Sequence, residues 1–426
     1  MRAPRVAVVV LTRDGGDHLA PGIDALFGAE PPRGGAEIIL VDNASTDGAV
    51  ERVAHRHPPL KVRRSERNLG FAGGVRFGVE TTAAGILVLV NDDAVVGRDA
   101  LAALVDALET APPETVAAAG MLTDPAGERV DFVEGVVTFD GHALQRGFGR
   151  PLAEVDAGKT GDPRLFPCGG FCAVKRRDFE SLGGFDADFF AYLEDVDFGW
   201  RASLAGRPTI FVPEARARHL SGATGKRLGL TMRGVLFESN AFTTAWKNLG
   251  DASLSALMPA ILATFLHRTF RGVVEHQEGA GEALGDPFSD RPPRFSKKKP
   301  APEPAPPSRR QRAVRRLARL AGISPPRALQ RAAGPGSPFV IEDEFARMWL
   351  VAWHRIVSAW PSLAAKRQIV QALRRVSDEE LFARWPLHLV PTYAGDEELF
   401  ASDFFRRLLP EKPRLVETTL QKVAQG

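Results

Sequence analysis

Through the first 120 residues of the chain, short apolar runs alternate with stretches in which apolar side chains return every three or four positions. The runs 6–11, 37–41, 61–64, 86–90 and 116–120 predict strands. Leu19, Ile23, Leu26 and Phe27, and later Leu101, Leu104 and Leu108, predict helices between them. Strands alternating with helices build βαβ units, so the fold expected is α/β with a doubly wound, mostly parallel sheet. Such a sheet takes its ligands at the carboxyl ends of its strands, where loops meet helix N-termini.

The pattern then changes. Residues 125–165 carry the turn signals DPAG and FDGH around short alternating runs, which predicts a hairpin or flap. A strand is expected over 166–174, helices over 177–182 and 195–205, and two short strands over 209–212 and 215–219. From 237 to 275 the spacing is helical. Helical stretches return at 344–353 and 363–375.

A length of 426 residues exceeds one ordinary core and suggests a division. The expected parts are an α/β domain over 1–250, a helical extension over 251–285, a Pro/Lys-rich linker over 286–310, and a basic helix with an α-helical region over 311–426. The net charge of +3 is unevenly spread: eleven Lys or Arg fall between Arg291 and Arg319 against the single acid Glu303. That stretch lacks the interleaved aromatics of a nucleic-acid surface, so no nucleic-acid partner is expected. Beside an amphipathic run, it suggests contact between 291–321 and an anionic membrane, with a cytoplasmic enzyme on the inner face of the plasma membrane. No transmembrane helix is expected: the N-terminal apolar run is too short for a signal core, and the candidate 252–266 contains Pro259 and falls short of the roughly 20 residues a span needs. Cys168 and Cys172 match neither a redox pair nor a zinc knuckle and are expected to be small buried side chains.

The chemistry lies where strands end. Asn91, Asp92 and Asp93 follow the strand 86–90, and adjacent carboxylates are tolerable where a cation neutralises them. Short carboxylates are hard oxygen ligands suited to Mg²⁺ or Mn²⁺, with a diphosphate supplying further oxygens. Asp42 follows the second strand within VDNASTD, placed to accept from the ring N–H of uracil or thymine. The glycines of RNLGFAGG, 67–74, let a helix start approach a sugar or diphosphate closely. Glu194, Asp195 and Asp197 cluster at a helix start, where one of them can act as general base. His219 stands at another strand end, where imidazole can join carboxylates around Mn²⁺.

In this order, VVVLTRD, VDNASTDG, RNLGFAGGVRFG, VLVNDD, GGFD and YLEDVDFGWR resemble family 2 glycosyltransferases of the GT-A fold, nearest the rhamnosyltransferase-like and galactofuranosyltransferase-like branch. The resemblance covers about residues 4–250. It implies that Thr12, Arg13, Asp42 and Asn43 surround the nucleotide, and that Asn68, Gly70, Phe71 and Ala72 frame the nucleotide sugar. Asp93 matches the metal-contacting carboxylate of the DxD-type motif, with Asn91 and Asp92 beside it and His219 completing the metal site. Asn91 stands where the family usually has an acid. The catalytic base falls in the pair Glu194–Asp195, with Asp195 favoured. What the resemblance implies is an inverting transferase that uses Mn²⁺ or Mg²⁺ to move a sugar from a nucleotide-sugar donor, dTDP-rhamnose or a UDP-hexose or galactofuranose, to a glycan or lipid-linked acceptor in cell-surface polysaccharide synthesis. The competing expectation is a non-catalytic nucleotide-sugar-binding scaffold on the same fold.

Overall fold

A computed structural model describes residues 5–220, 223–275 and 344–425. The linker expected over 286–310, the basic helix after it and the membrane-facing stretch 291–321 lie outside the described residues.

Strands β1 (Val6–Thr12), β2 (Ala36–Asn43), β3 (Lys61–Ser65) and β4 (Ile86–Asn91) run parallel in the order β3-β2-β1-β4. Helices α1 (Leu19–Gly28), α2 (Ala49–Arg56) and α3 (Gly70–Val79) connect them. The continuous apolar run of β1 has a direct cause. Val6, Val8 and Val10 point into one core cluster and Ala7 and Val9 into the other, so both faces of the sheet are covered. Glycine brings α3 down onto the sheet: a Cβ on Gly74 would lie 2.4 Å from Leu11, and one on Gly78 would lie 2.6 Å from Val41.

Beyond β4 the sheet is mixed. A tight turn at Asp92–Asp93 leads first into the short strand β5 (Ala94–Val96), and only then into α4 (Ala100–Thr110). Strand β6 (Ala117–Thr123) pairs with β7 (Val130–Phe132), which begins the flap, and the flap's β8 (Gly135–Val137) and β9 (Ala143–Gln145) form a separate hairpin. After the edge pair β10 (Pro163–Arg164), β11 (Phe171–Lys175) inserts antiparallel between β4 and β6. It starts later than the apolar run suggested, since 168–170 form a turn rather than extended strand.

Helices α5 (Arg176–Ser181) and α6 (Glu194–Leu204) follow, then β12 (Thr209–His219), parallel to β6. The two strands expected over 209–219 are one strand with a register shift between Val212 and Arg216. Pro213 lies in that interval; it has no N–H to give the ladder, and the bulge absorbs the misfit. Helix α7 (Ala223–Asn248) begins well before the helical spacing was evident, because its glycines dilute the pattern and Gly229 kinks it at φ +73°. Helix α8 (Asp251–Glu275) and the helices Glu344–Ser358 and Trp360–Leu373 pack on or beside α7. The C-terminal region meets the flap as well, where Phe139 packs against Phe400 and Phe405.

Candidate active site

Three strand ends and one helix start converge at the carboxyl edge of β4. Register explains the first meeting: β12 pairs antiparallel with β5 so that His219 lies opposite Ala94. That pairing sets His219 beside the Asn91–Asp93 turn although they are more than a hundred residues apart in sequence. His219 Nε2 is 3.0 Å from Asp93 Oδ1, and the Asn91 amide lies 3.1 Å from the same nitrogen. The other ring nitrogen, Nδ1, is 2.5 Å from the carboxylate of Asp131 on β7. Burial disfavours the charged imidazole, but Asp131 and Asp93 outweigh it and hold the His219 pKa up at about 10. For Asp93, burial pushes the carboxyl up and His219 more than reverses this, leaving it below the usual range.

Asp131 was not a candidate in the sequence. The available signal was a single acid between the apolar neighbours Val130 and Phe132. Only the fold reveals that this acid is buried, 4% exposed, and aimed at His219.

This donor set fits a divalent cation. A carboxylate oxygen and an imidazole nitrogen face each other, and the far side of the ring is anchored by a second carboxylate, the arrangement that fixes tautomer and orientation in histidine ligands. Asp93 and His219 would be the residues to hold the ion. Among the described residues no three His, Cys, Asp or Glu side chains are grouped for metal binding. Asp92 is turned differently: its Oδ2 accepts from Thr12 Oγ1 at 2.6 Å, tying β4 to β1.

The residues that the resemblance assigns to the nucleotide come together, largely bonded to one another. Asp42 is fully buried, with Oδ1 accepting from the Ser45 N–H at 2.8 Å and Oδ2 from Arg64 Nε at 2.7 Å. Asn43 Nδ2 donates to Asn68 Oδ1 at 2.9 Å, and Asn43 Oδ1 accepts from the Leu69 N–H at 2.7 Å. Asn68 Oδ1 also accepts from the Gly70 N–H, so two asparagines lock the 67–70 turn to the end of β2. Arg13 lies 4.0 Å from Asp14.

Gly70 also has a structural task. At φ +70°, it leaves no room for a Cβ, which would sit 2.4 Å from the carbonyl oxygen of Phe190. That carbonyl accepts from the N–H groups of Phe71 and Ala72, so the first turn of α3 is capped by the segment preceding Glu194. The Phe71 ring points across to Gly169.

Gly169 links the acid pair to the metal-type cluster. Its N–H donates to Asp195 Oδ2 at 2.8 Å, and the next carbonyl, of Gly170, accepts from the Asn91 N–H at 3.0 Å. Asp195 Oδ1 accepts from the Val196 N–H. Burial raises the Asp195 carboxyl, and these N–H donors oppose the rise. Glu194 is raised much further, by burial and then by the Asp195 charge, and its Oε2 is buried with no hydrogen-bond partner. Of the two adjacent acids, Glu194 is therefore pushed further toward its neutral form, and Asp195 is the one supplied with N–H donors that favour its charge. Asp197 belongs to the framework: fully buried, it accepts from Arg201, Lys247 and Asn248. Cys172 is fully buried and Cys168 half-buried, and burial pushes both thiols up.

Together, the sheet order, the acidic turn after β4 and the buried acid pair define a GT-A-type nucleotide-diphospho-sugar transferase fold with a helical C-terminal region. Residues 7–183 match the family described as glycosyl transferase family 2, so this part of the chain is a glycosyltransferase domain of that family. It is 29% identical over 241 residues to the N-acetylglucosaminyl-diphospho-decaprenol L-rhamnosyltransferase of Mycobacterium tuberculosis, an overlap of 51% of this chain and 77% of that protein. It is 26% identical over 227 residues to the O-antigen biosynthesis protein RfbC of Myxococcus xanthus, an overlap of 52% of this chain but only 18% of that one. Among solved structures it is similar to GalNAc-T7 with UDP, GalNAc and Mn²⁺, at 18% identity and a TM-score of 0.47, covering 62% of this chain and 52% of that one. Among the described residues, no helix is long and apolar enough to cross a membrane.

Proposed function

We propose that the chain is an inverting transferase that moves a sugar from a nucleoside-diphosphate donor to a hydroxyl of a glycan or lipid-linked acceptor in polysaccharide assembly. The observation that carries this reading is the buried acid pair at the start of α6, in which Asp195 is oriented by the Gly169 and Val196 N–H groups and is taken as the base. In a single displacement, the acceptor oxygen attacks the anomeric carbon as the nucleoside diphosphate departs, and Asp195 takes the hydroxyl proton. Attack opposite the leaving group inverts the anomeric centre. Burial and the Asp195 charge favour the neutral form of Glu194, which avoids a second negative charge beside the base.

Asp93 and His219 would hold Mn²⁺ or Mg²⁺, and the cation supplies charge stabilisation to the departing diphosphate. Thr12 orients Asp92, and Asp131 orients His219, before any ligand arrives. Thr12, Arg13, Asp42, Asn43, Asn91 and Asp92 are proposed to border the nucleotide, and Asn68, Gly70, Phe71 and Ala72 the sugar. The names of the relatives make rhamnose, from dTDP-rhamnose, the first sugar to test, with UDP-galactofuranose and other UDP-hexoses next.

Residues 1–250 are proposed to carry the transfer chemistry, and 291–321 to rest on the anionic inner face of the plasma membrane. The test of function is release of dTDP or UDP from these donors with Mn²⁺, with wild type beside Asp195→Asn, and the product anomer read by NMR. Turnover indifferent to Asp195→Asn, or a retained anomeric configuration, would overturn the reading.

A further inference from the structure

The segment leading into the acid pair is bent in an unusual way. Phe190, Tyr192 and Leu193 have φ of +63°, +72° and +67°. For bulky side chains this conformation is unfavourable and persists only where its surroundings enforce it. The enforcing group is a single side chain. Asn240 on α7, 2% exposed, donates from Nδ2 to the carbonyls of Phe189, Ala191 and Tyr192 at 2.9, 2.9 and 2.8 Å. Three carbonyls converge on one amide nitrogen only because the chain between them is reversed.

The fourth carbonyl in this run, that of Phe190, points the other way, to the N–H groups of Phe71 and Ala72 at the start of α3. Leu193 then opens α6, its carbonyl accepting from the Asp197 N–H. The five-residue segment therefore has three attachments: to α7 through Asn240, to the sugar-side turn through Phe190, and to the helix that begins with Glu194 and Asp195. Lower on α7, Lys247 and Asn248 fix Asp197, so the same helix holds both the segment and the first turn of α6.

We infer that Asn240 is a positioning residue for the general base: by gathering the carbonyls of 189, 191 and 192 it fixes the reversed segment that sets Asp195 against the sugar-side turn. The inference rests on Asp195 being the base. It assigns a role in transfer to a helix that lies beyond the matched family region, which ends at residue 183. Asn240 touches no reacting atom, and its loss misplaces the base without removing it.

The test uses Asn240→Ala and Asn240→Asp in the full chain, with Ser239→Ala as a neighbouring control and Asp195→Asn beside them. Turnover is read as nucleotide release from dTDP-rhamnose and UDP-galactofuranose with Mn²⁺, and affinity by calorimetry with dTDP and UDP. The expected result is turnover reduced about 100-fold in both Asn240 variants, the scale of a base displaced by about an ångström. Nucleotide dissociation constants should stay within about threefold of wild type, the range of a site left intact, and Ser239→Ala should behave as wild type. Unchanged turnover would overturn the inference. So would parallel loss of turnover and nucleotide binding in both variants, which would assign Asn240 to folding alone. If Asp195→Asn leaves turnover intact, the base assignment fails and this inference with it. If Asp195→Asn abolishes turnover while the Asn240 variants do not, only the inference fails.

Discussion

The two sides of the candidate site are built by different means. On the side proposed for the nucleotide, Asp42, Asn43 and Asn68 satisfy one another and their neighbours within about 25 residues of sequence, at the ends of two parallel strands. On the side of the proposed base, Asp195 stands at the end of a segment with reversed backbone, held by a helix some fifty residues further on. A site fixed by local turns is relaxed and preorganised by its own chain. A site fixed by a remote amide stores strain and depends on packing elsewhere. Ligand binding should thus be robust to change in the C-terminal helices, whereas transfer should not.

The largest effect that can break this contrast is within the acid pair. Asp195→Asn should lower turnover by about 10²–10⁴-fold, the usual contribution of a positioned base. Glu194→Gln should cost no more than about tenfold, because glutamine copies the shape and neutrality of the protonated acid that burial and the Asp195 charge favour. Steady-state release of nucleotide from dTDP-rhamnose measures both. Equal losses in the two variants would mean that the acids share one role, and the division between them would be wrong.

Next in size is the metal-type cluster, which combines both modes of construction. Asp93 comes from a local turn, and His219 is delivered by β12 and oriented by Asp131. Asp131→Asn keeps the shape but removes the anchoring charge, and should weaken Mn²⁺ binding by about 10–100-fold, as loss of an orienting partner does. Titration calorimetry with Mn²⁺ alone decides this. Affinity that falls with Asp93→Ala but not with Asp131→Asn would leave His219 without need of its anchor.

The same contrast explains what could be read from the chain in advance. The parallel strands, the positions of their ends and the turns at 42–47, 67–74 and 91–93 follow from local spacing and turn chemistry, which need no knowledge of the fold. Strand β5 was hidden because three residues after a turn carry no period, and it exists only by pairing with β12. The antiparallel entry of β11 likewise depends on its two neighbours and not on its own apolar run. Asp131 and Asn240 were invisible for the same reason: each is an ordinary polar residue until a partner about fifty or more residues away meets it.

On the nucleotide side the expected cost is in stability. Asn43→Ala removes a buried donor and acceptor and leaves the Leu69 N–H without its side-chain acceptor. A loss of about 1–3 kcal/mol is expected from such unsatisfied groups. Urea unfolding monitors it, and the slope against denaturant should stay constant. A loss confined to nucleotide affinity, with stability unchanged, would show that the asparagine is held for the ligand and not for the turn.

The smallest effect concerns how the base side is tied to the flap. His142 is buried between Asp140, at 3.2 Å, and Glu238, at 3.1 Å, two residues before Asn240 on α7. Arg268 pairs with Asp140 and Asp396 in the same buried group and lies 3.7 Å from Glu238. Burial disfavours the imidazolium, but the charges of Glu238 and Asp140 raise the His142 pKa to about 10. A folded value above the unfolded one, about 6.5, means the stabilisation is complete below pH 6.5 and is lost as pH rises toward 10. One group can contribute a slope of at most about 1.4 kcal/mol per pH unit in that window. Urea unfolding at pH 7, 8 and 9 should show wild-type stability declining, with His142→Gln giving a flatter line. Parallel slopes for the two proteins would mean that His142 is neutral in the folded state, and that α7 is joined to the flap by Arg268 and its three acids without help from the imidazole.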